Sequence, residues 1–356
     1  MSTKTLKNIV FLIPSLDPDE KMPEYVKELI KAGAKHILLI NDGSKEINNK
    51  YFEEVENKKE VIVLRHAVNQ GKGRALKTGF NYVLNEMKDI AGVVTADADG
   101  QHSVKDTIAT ANKLLETNQV IFGTRNFNEE IVPFKSRNGN KITTTVFKLL
   151  YGKLVNDTQT GLRGIPFDYL KQCLAMRGER FEYEIEMLIQ MVSDKKEIVE
   201  LPIETIYYNS NRETHFDTFK DSYRIYKVML GQFFRFTGSG LLSSLIDLSL
   251  FTIFQIIFTN LDLFVSVLTS TALARVISSF INYLLNKNTV FKNNEKSSLY
   301  KYYILVCLQM LASWLLVSCL SLLLPINKTI IKALVDIVLF VISYQVQRKW
   351  VFKKEN

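Results

Sequence analysis

The sequence predicts a two-part chain: an α/β domain with a mostly parallel sheet, followed by an all-α membrane domain of two transmembrane hairpins. Three observations carry this. Through the first 125 residues, short apolar runs alternate with longer runs of helical pattern. From Phe233 onward, apolar stretches long enough to cross a bilayer dominate and charge retreats to short islands. One of those stretches repeats near the C-terminus. The mean hydropathy of +0.02 therefore averages a water-soluble half and a lipid-soluble half.

In the first half, Ile9–Ile13, His36–Ile40, Val61–Arg65, Gly92–Thr95 and Val120–Phe122 have the continuous apolar character of strands buried on both faces. Helical patterns fill the gaps, as at Glu24–Lys31 and Arg74–Met87. Strand–helix alternation predicts a parallel sheet covered by helices, with ligands beyond the carboxyl ends of the strands. This domain is expected to span 1–217.

In the second half, four segments reach the roughly 20 apolar residues a bilayer requires: 233–258, 262–285, 302–324 and 328–347. Lys287, Lys292, Lys296 and Lys301 lie between the second and third, and Arg348, Lys349, Lys353 and Lys354 follow the fourth. The excess of cations in these segments places both, with the N-terminal half, in the cytoplasm. The first eight residues lack the apolar core of a cleaved signal. Asn282–Phe291 aligns with Ser343–Phe352 at an offset of 61, each ending a helix with Tyr, a basic residue and Val-Phe, so a duplicated hairpin is expected. Asp247, Arg275 and Asp336 lie within the spans. They suit either an interhelical ion pair or a polar site touching lipid phosphate. Residues 218–232 set Phe219, Tyr223, Tyr226 and Leu230 beside a stripe of Lys220, Arg224 and Lys227. That pattern fits an amphipathic helix lying on the membrane or packed on the soluble domain.

The net charge of +8 would serve nucleic acid or an anionic membrane. Its clustering at the ends of apolar segments favours the membrane and speaks against a nucleic-acid partner. The three cysteines, Cys173, Cys307 and Cys319, have no metal-ligand spacing and predict neither a disulfide framework nor a zinc site.

Polar clusters follow each strand in turn: Pro14-Ser15, Asn41-Asp42-Gly43-Ser44, His66 to Asn69, Asp97-Ala98-Asp99-Gly100-Gln101-His102 and Gly123-Thr124-Arg125. One such cluster is ordinary turn chemistry; five in series along one sheet edge make a ligand rim. Asp97 and Asp99, with the neutral oxygen of Gln101, can share a hard divalent cation such as Mg2+ or Mn2+ and a substrate phosphate. Asp42 can accept hydrogen bonds from a base or ribose. The glycine-rich run Asn69-Gln-Gly71-Lys72-Gly73 opens a helix, where backbone can approach an anion, without P-loop or dinucleotide-binding spacing.

Ile13-Pro-Ser-Leu16, Asn41-Asp-Gly-Ser44, Asn69-x-Gly-Lys-Gly-x-Ala75, Asp97-Ala-Asp-Gly-Gln-His102 and Asp157-Thr-Gln-Thr-Gly-Leu-Arg163 together resemble family 2 glycosyltransferases of GT-A fold, in particular polyprenyl-phosphate glycosyltransferases such as dolichyl-phosphate mannose synthase-like enzymes. Residues 233–352 resemble the four-helix GtrA-like membrane domain. The resemblance implies that Pro14, Ser15, Asp42, Asn69, Lys72, Asp97 and Asp99 bind a UDP- or GDP-sugar, and that Asp97, Asp99 and Gln101 hold the metal. It implies that Arg125, Arg137 and Arg212 hold phosphates and that Asp157 stands beside the acceptor, as base or positioning group. Asn41 departs from the Asp that many relatives carry. The implied reaction is inverting transfer of a sugar to undecaprenyl or dolichyl phosphate for cell-envelope glycosylation. Two other readings stay open: a processive polysaccharide synthase, and a lipid-linked sugar translocator whose soluble half only binds nucleotide sugar. The sequence also leaves homo-oligomerisation open.

Overall fold

The computed structural model describes residues 4–129, 132–204, 206, 217–293, 297–325 and 327–353. The chain divides into two compact units, Met1–Met229 and Leu230–Asn356.

The first unit runs β1 (Ile9–Ser15), α1 (Lys21–Lys31), β2 (His36–Asn41), α2 (Asn49–Glu56), β3 (Val61–Arg65), α3 (Lys72–Glu86), β4 (Gly92–Thr95), α4 (Val104–Thr117), β5 (Val120–Arg125), α5 (Phe134–Tyr151), β6 (Arg163–Pro166), α6 (Phe167–Ala175), α7 (Glu182–Ser193) and β7 (Ile198–Ile203). Among the described residues, seven strands form one sheet in the order β3-β2-β1-β4-β6-β5-β7. Residues 9–13 are wholly buried, which is why that strand shows no polar alternation. On one face, Phe11, Ile13 and Leu39 pack with Met22, Val26 and Leu29, spaced to share one side of α1, and with Phe52 of α2. On the other, α3 buries Ala75, Leu76, Phe80 and Val83. A Cβ at Gly79 would lie 2.3 Å from Leu12 Cδ1, so glycine lets α3 press against β1.

The predicted strands are all present, but the sheet is mixed. β6 runs antiparallel between β4 and β5, pairing Thr95 and Phe122 with Arg163. This inversion matters for the site. In an antiparallel strand the residues that precede it lie at the carboxyl edge of its neighbours, so the 157–162 loop joins the polar rim.

Residues 218–232 do not form a separate helix. They begin α8 (Thr218–Ile257): between Met229 and Phe233 only Gly231 weakens a helix, no proline interrupts it, and an established helix propagates. Within the first unit, its opening turns bury Ile225 and Met229, and the Tyr226 hydroxyl lies 3.0 Å from Thr143 Oγ1 of α5. α5 leaves Phe134, Ile142 and Leu149 exposed, and α8 does the same for Phe219 and Tyr223.

Among the described residues, four helices have the length and apolarity to cross a membrane: Phe219–Ile257, which begins in the first unit, Leu263–Val290, Ser298–Leu323 and Ile330–Val351. The α-helical parts after α8 are α9 (Leu263–Leu285), α10 (Ser298–Leu323) and α11 (Lys328–Val346). Asp262 starts α9 by accepting from Phe264 N at 2.9 Å. The sequence repeat is structural: α9 and α11 both end in a π-helical turn, Asn286–Val290 and Gln347–Val351. The equivalent residues of the two copies touch. Asn286 Nδ2 donates to Gln347 Oε1 at 3.1 Å, and the Phe291 and Phe352 rings stack with centroids 5.0 Å apart. Such self-pairing defines a local two-fold axis between the hairpins.

Of the charges within the spans, Arg275 reaches Asp247 at 3.3 Å between α9 and α8, and Ser278 Oγ donates to the same carboxylate at 2.7 Å. This is the interhelical pair. Asp336 takes no part in it and binds Lys332 on its own helix at 2.8 Å and Ser313 of α10 at 2.9 Å.

Candidate functional site

A cavity of about 580 Å³ opens at the carboxyl edge of the sheet in the first unit. Pro14 and Ser15 end β1 on its wall, Asp42 follows β2, and Asn69 and Lys72 come from the loop and first turn of α3. Asp97, Asp99 and Gln101 follow β4, and Arg125 ends β5. Nine predicted site residues thus line one cavity.

Lys72 lies at the centre of the charge arrangement. Its ammonium is 2.6 Å from Asp97 Oδ1 and 3.0 Å from Glu184 Oε1. Burial would lower the Lys72 pKa, but the two carboxylates outweigh it and hold the lysine above its usual range. Burial would likewise raise Asp97, yet the Lys72 ammonium, aided by Arg125, brings it down to about 2. Asp99 goes the other way: burial and the charge of Asp97 raise it. His102 Nδ1 accepts from Asp97 N at 3.0 Å, so the ring carries its proton on Nε2; burial lowers its pKa and keeps it neutral.

These residues suit a divalent cation. Asp97 and Asp99 line one cavity with Gln101, and burial first, then the charge of Asp97, raises Asp99. Gly161 abuts this pair, since a Cβ there would lie 2.3 Å from Asp97 Oδ2. Among the described residues, no cluster of three or more His, Cys, Asp or Glu forms a complete ligand cage. Asp97, Asp99 and Gln101 offer oxygen atoms alone, the donor set that a hard cation shares with phosphate and water.

The glycine-rich loop differs from expectation. Asp42 Oδ2 accepts from Gly71 N at 2.7 Å, and Oδ1 accepts from Gln70 N at 3.0 Å. His66 Nδ1 lies 2.6 Å from Oδ1, and His66 Nε2 lies 2.9 Å from Thr78 Oγ1. The anion that this loop cradles is Asp42 itself. Cβ atoms at Gly71 and Gly73 would lie 2.5 Å from Glu179 O and from Tyr183 Cβ, so the glycines admit the chain around 179–183. Asn41 holds the next turn: its Oδ1 accepts from Ser44 N at 2.9 Å.

Asp157 is wholly buried and grips Arg125 in a fork, Nε to Oδ2 at 2.7 Å and an NH2 group to Oδ1 at 3.1 Å. It does not line the cavity: its carboxylate faces the arginine. Arg137 lies in the first turn of α5 and donates to Glu129 O at 2.7 Å, and it does not line the cavity either. Arg212 is outside the described residues.

Sequence reasoning missed Glu184, Arg180 and Phe181 at the start of α7, Thr158 and Gln159 before β6, and Asp17 and Asp19 after β1, all on the cavity wall. Glu184 had a signal. Glu182-Tyr-Glu184 places acids in a helix's first turn, where a site-facing carboxylate is favoured by the dipole.

Residues 11–174 match the family described as Glycosyl transferase family 2, and residues 235–352 match GtrA/DPMS, transmembrane domain. A UDP-N-acetylglucosamine–dolichyl-phosphate N-acetylglucosaminyltransferase of Methanococcus voltae is 30% identical over 247 residues, covering 64% of this chain and 98% of that one. A dolichyl-phosphate beta-glucosyltransferase of Trichomonas vaginalis is 26% identical over 216 residues, 54% of this chain and 64% of that one. Among solved structures, glucosyl-3-phosphoglycerate synthase of Mycobacterium tuberculosis, in complex with Mn2+, UDP and phosphoglyceric acid, superposes with a TM-score of 0.50 at 13% identity, over 63% of this chain and 78% of that one. At that identity the likeness establishes the GT-A fold alone. With its motif-bearing cavity, its GT-A sheet and its four membrane-length helices, the chain belongs to glycosyltransferase family 2 and joins that domain to a GtrA/DPMS-type transmembrane domain, as a multi-pass membrane protein.

Proposed function

We propose that the protein transfers a sugar from a UDP- or GDP-sugar to a polyprenyl phosphate, undecaprenyl or dolichyl, and so forms a lipid-linked sugar for cell-envelope glycosylation. One observation carries the reading: the carboxylate pair Asp97 and Asp99, served by Lys72 and Arg125, opens into a single cavity on a chain whose other unit is built for a bilayer. The names of the two dolichyl-phosphate relatives agree with it.

The acceptor phosphate oxygen attacks the anomeric carbon, the bond from that carbon to the diphosphate breaks in line, and the configuration inverts. Asp97, Asp99 and Gln101 would hold Mg2+ or Mn2+, which when bound neutralises the departing diphosphate. Pro14, Ser15, Asp42 and Asn69 shape the nucleoside end. Lys72 offers its ammonium to the phosphates, and Arg125, aimed by Asp157, offers its guanidinium. Arg137 and Arg212 serve the lipid phosphate. A phosphate monoester is already anionic at neutral pH, so the acceptor requires no strong base, consistent with an Asp157 committed to Arg125.

The membrane brings the acceptor. The exposed Phe134, Ile142 and Leu149 of α5, with Lys141 and Lys148, suit an interface between acyl chains and headgroups, and Phe219 and Tyr223 extend it. The catalytic domain and both termini face the cytoplasm. Against the processive reading, Gln347 of Gln347-Arg-Lys-Trp350 is buried and accepts from Asn286 in the second unit. The test is to incubate the full chain in detergent with labelled nucleotide sugars, with and without polyprenyl phosphate. Label entering the organic phase only with the lipid phosphate is expected; label released as free sugar or built into polymer would overturn the reading.

A further inference from the structure

Lys72 occupies a position that the proposed chemistry assigns to another cation. It contacts Asp97 at 2.6 Å, although Asp97 is one of the two carboxylates suited to a divalent ion. It is also held from the other side by Glu184 at 3.0 Å, and its side chain is only 14% exposed. Glu184 is itself buried and fixed in place. Its backbone carbonyl accepts from Arg163 at 2.7 Å, and it stands in the first turn of the 12-residue α7. The lysine therefore hangs on a flexible stem between a carboxylate that a cation would claim and a carboxylate that it would not.

We propose that Lys72 is the resident counter-ion of the carboxylate pair, and that Glu184 is a positioning residue that retains it when it leaves Asp97. Without metal, Lys72 neutralises Asp97 and offsets its repulsion with Asp99. When a divalent ion is taken up, the ammonium gives up Asp97, stays hydrogen-bonded to Glu184, and is left with donor capacity directed at the incoming diphosphate. No covalent bond changes and no proton moves; one ion pair is exchanged for another. Lys72 thus opposes metal binding in the free protein and supports donor binding afterwards, and Glu184 sets the balance by competing with Asp97 for the ammonium. This rests on the metal site proposed above.

The test is a Mn2+ titration of the full-length chain in detergent without nucleotide, following free Mn2+ by electron paramagnetic resonance. Lys72→Met should tighten Mn2+ binding roughly tenfold, the low end of coupling between close charge pairs. Glu184→Gln should weaken it, because the freed ammonium commits to Asp97. The double variant should bind as Lys72→Met does, since Glu184 acts through Lys72, and Lys72→Arg should return the affinity towards that of the native chain. Lys72→Gln serves if the methionine variant is unfolded by circular dichroism. Unchanged Mn2+ affinity in both Lys72→Met and Lys72→Gln, or strictly additive effects in the double variant, would overturn the exchange. Mn2+ binding that survives Asp99→Asn would instead overturn the metal site on which it rests.

Discussion

Asp157 and Arg125 form a two-pronged ion pair, Nε to Oδ2 at 2.7 Å and an NH2 group to Oδ1 at 3.1 Å, with the carboxylate wholly buried and the guanidinium reaching the cavity wall. Removing one partner of such a pair leaves the other misdirected. Asp157→Asn should lower kcat/KM by about 10- to 100-fold, the loss of one aimed cation at the phosphates. If Asp157 only aims Arg125, the pH profile of kcat/KM between 5 and 8 should keep its shape in the variant. Disappearance of an ionisation from that profile would make Asp157 a base instead.

Gly161 gives a second prediction. A Cβ at this position would lie 2.3 Å from Asp97 Oδ2 and 2.8 Å from Asp97 Cγ. Gly161→Ala should therefore push the carboxylate aside, lowering metal-dependent donor affinity by at least tenfold, about 1.4 kcal/mol. Isothermal titration with the nucleotide diphosphate and Mn2+ measures this. Native affinity in the alanine variant would show that Asp97 does not have to stay where the glycine lets it lie.

In the membrane unit, Asn286 and Gln347 belong to equivalent positions of the two repeats and bind each other at 3.1 Å. Ser239 Oγ also donates to Asn286 Oδ1, and Gln347 Nε2 donates to Ser343 Oγ at 3.1 Å. Asn286→Leu and Gln347→Leu should each destabilise the unit by about 1–2 kcal/mol, because each strands a polar partner away from water. The double variant should lose less than the sum. Unfolding in mixed micelles reads both numbers, and strict additivity would mean that the two side chains are not coupled.

The parts of this protein that were legible in its sequence are those where one physical demand dominates. β1 to β4 lie within two residues of expectation because strands buried on both faces must be continuously apolar, and Ile9–Ile13 is. The rim residues after β1, β2, β4 and β5 followed from sheet geometry. β6 was not legible: Arg163-Gly-Ile-Pro166 is four residues long with an arginine at its head, and only pairing with Val93 to Thr95 and with Ile121 and Phe122 makes it a strand. Its antiparallel direction in turn brings Gly161 against Asp97. The glycine loop misled because its glycines meet Glu179 and Tyr183, a contact over a hundred residues away that no local pattern shows. The 218–232 stretch has an amphipathic pattern, and nothing local told that it would continue as α8.

The central claim is transfer of a sugar onto a lipid phosphate at Asp97 and Asp99. Its most direct test is the rate at which labelled sugar enters the organic phase, compared between the native chain and Asp99→Asn and between polyprenyl phosphate and the unphosphorylated polyprenol. The account predicts labelled lipid from the native chain with polyprenyl phosphate and a divalent ion, a fall of at least 100-fold in Asp99→Asn, and no product with the polyprenol. Labelled lipid formed equally well by Asp99→Asn, or from the polyprenol, would contradict it.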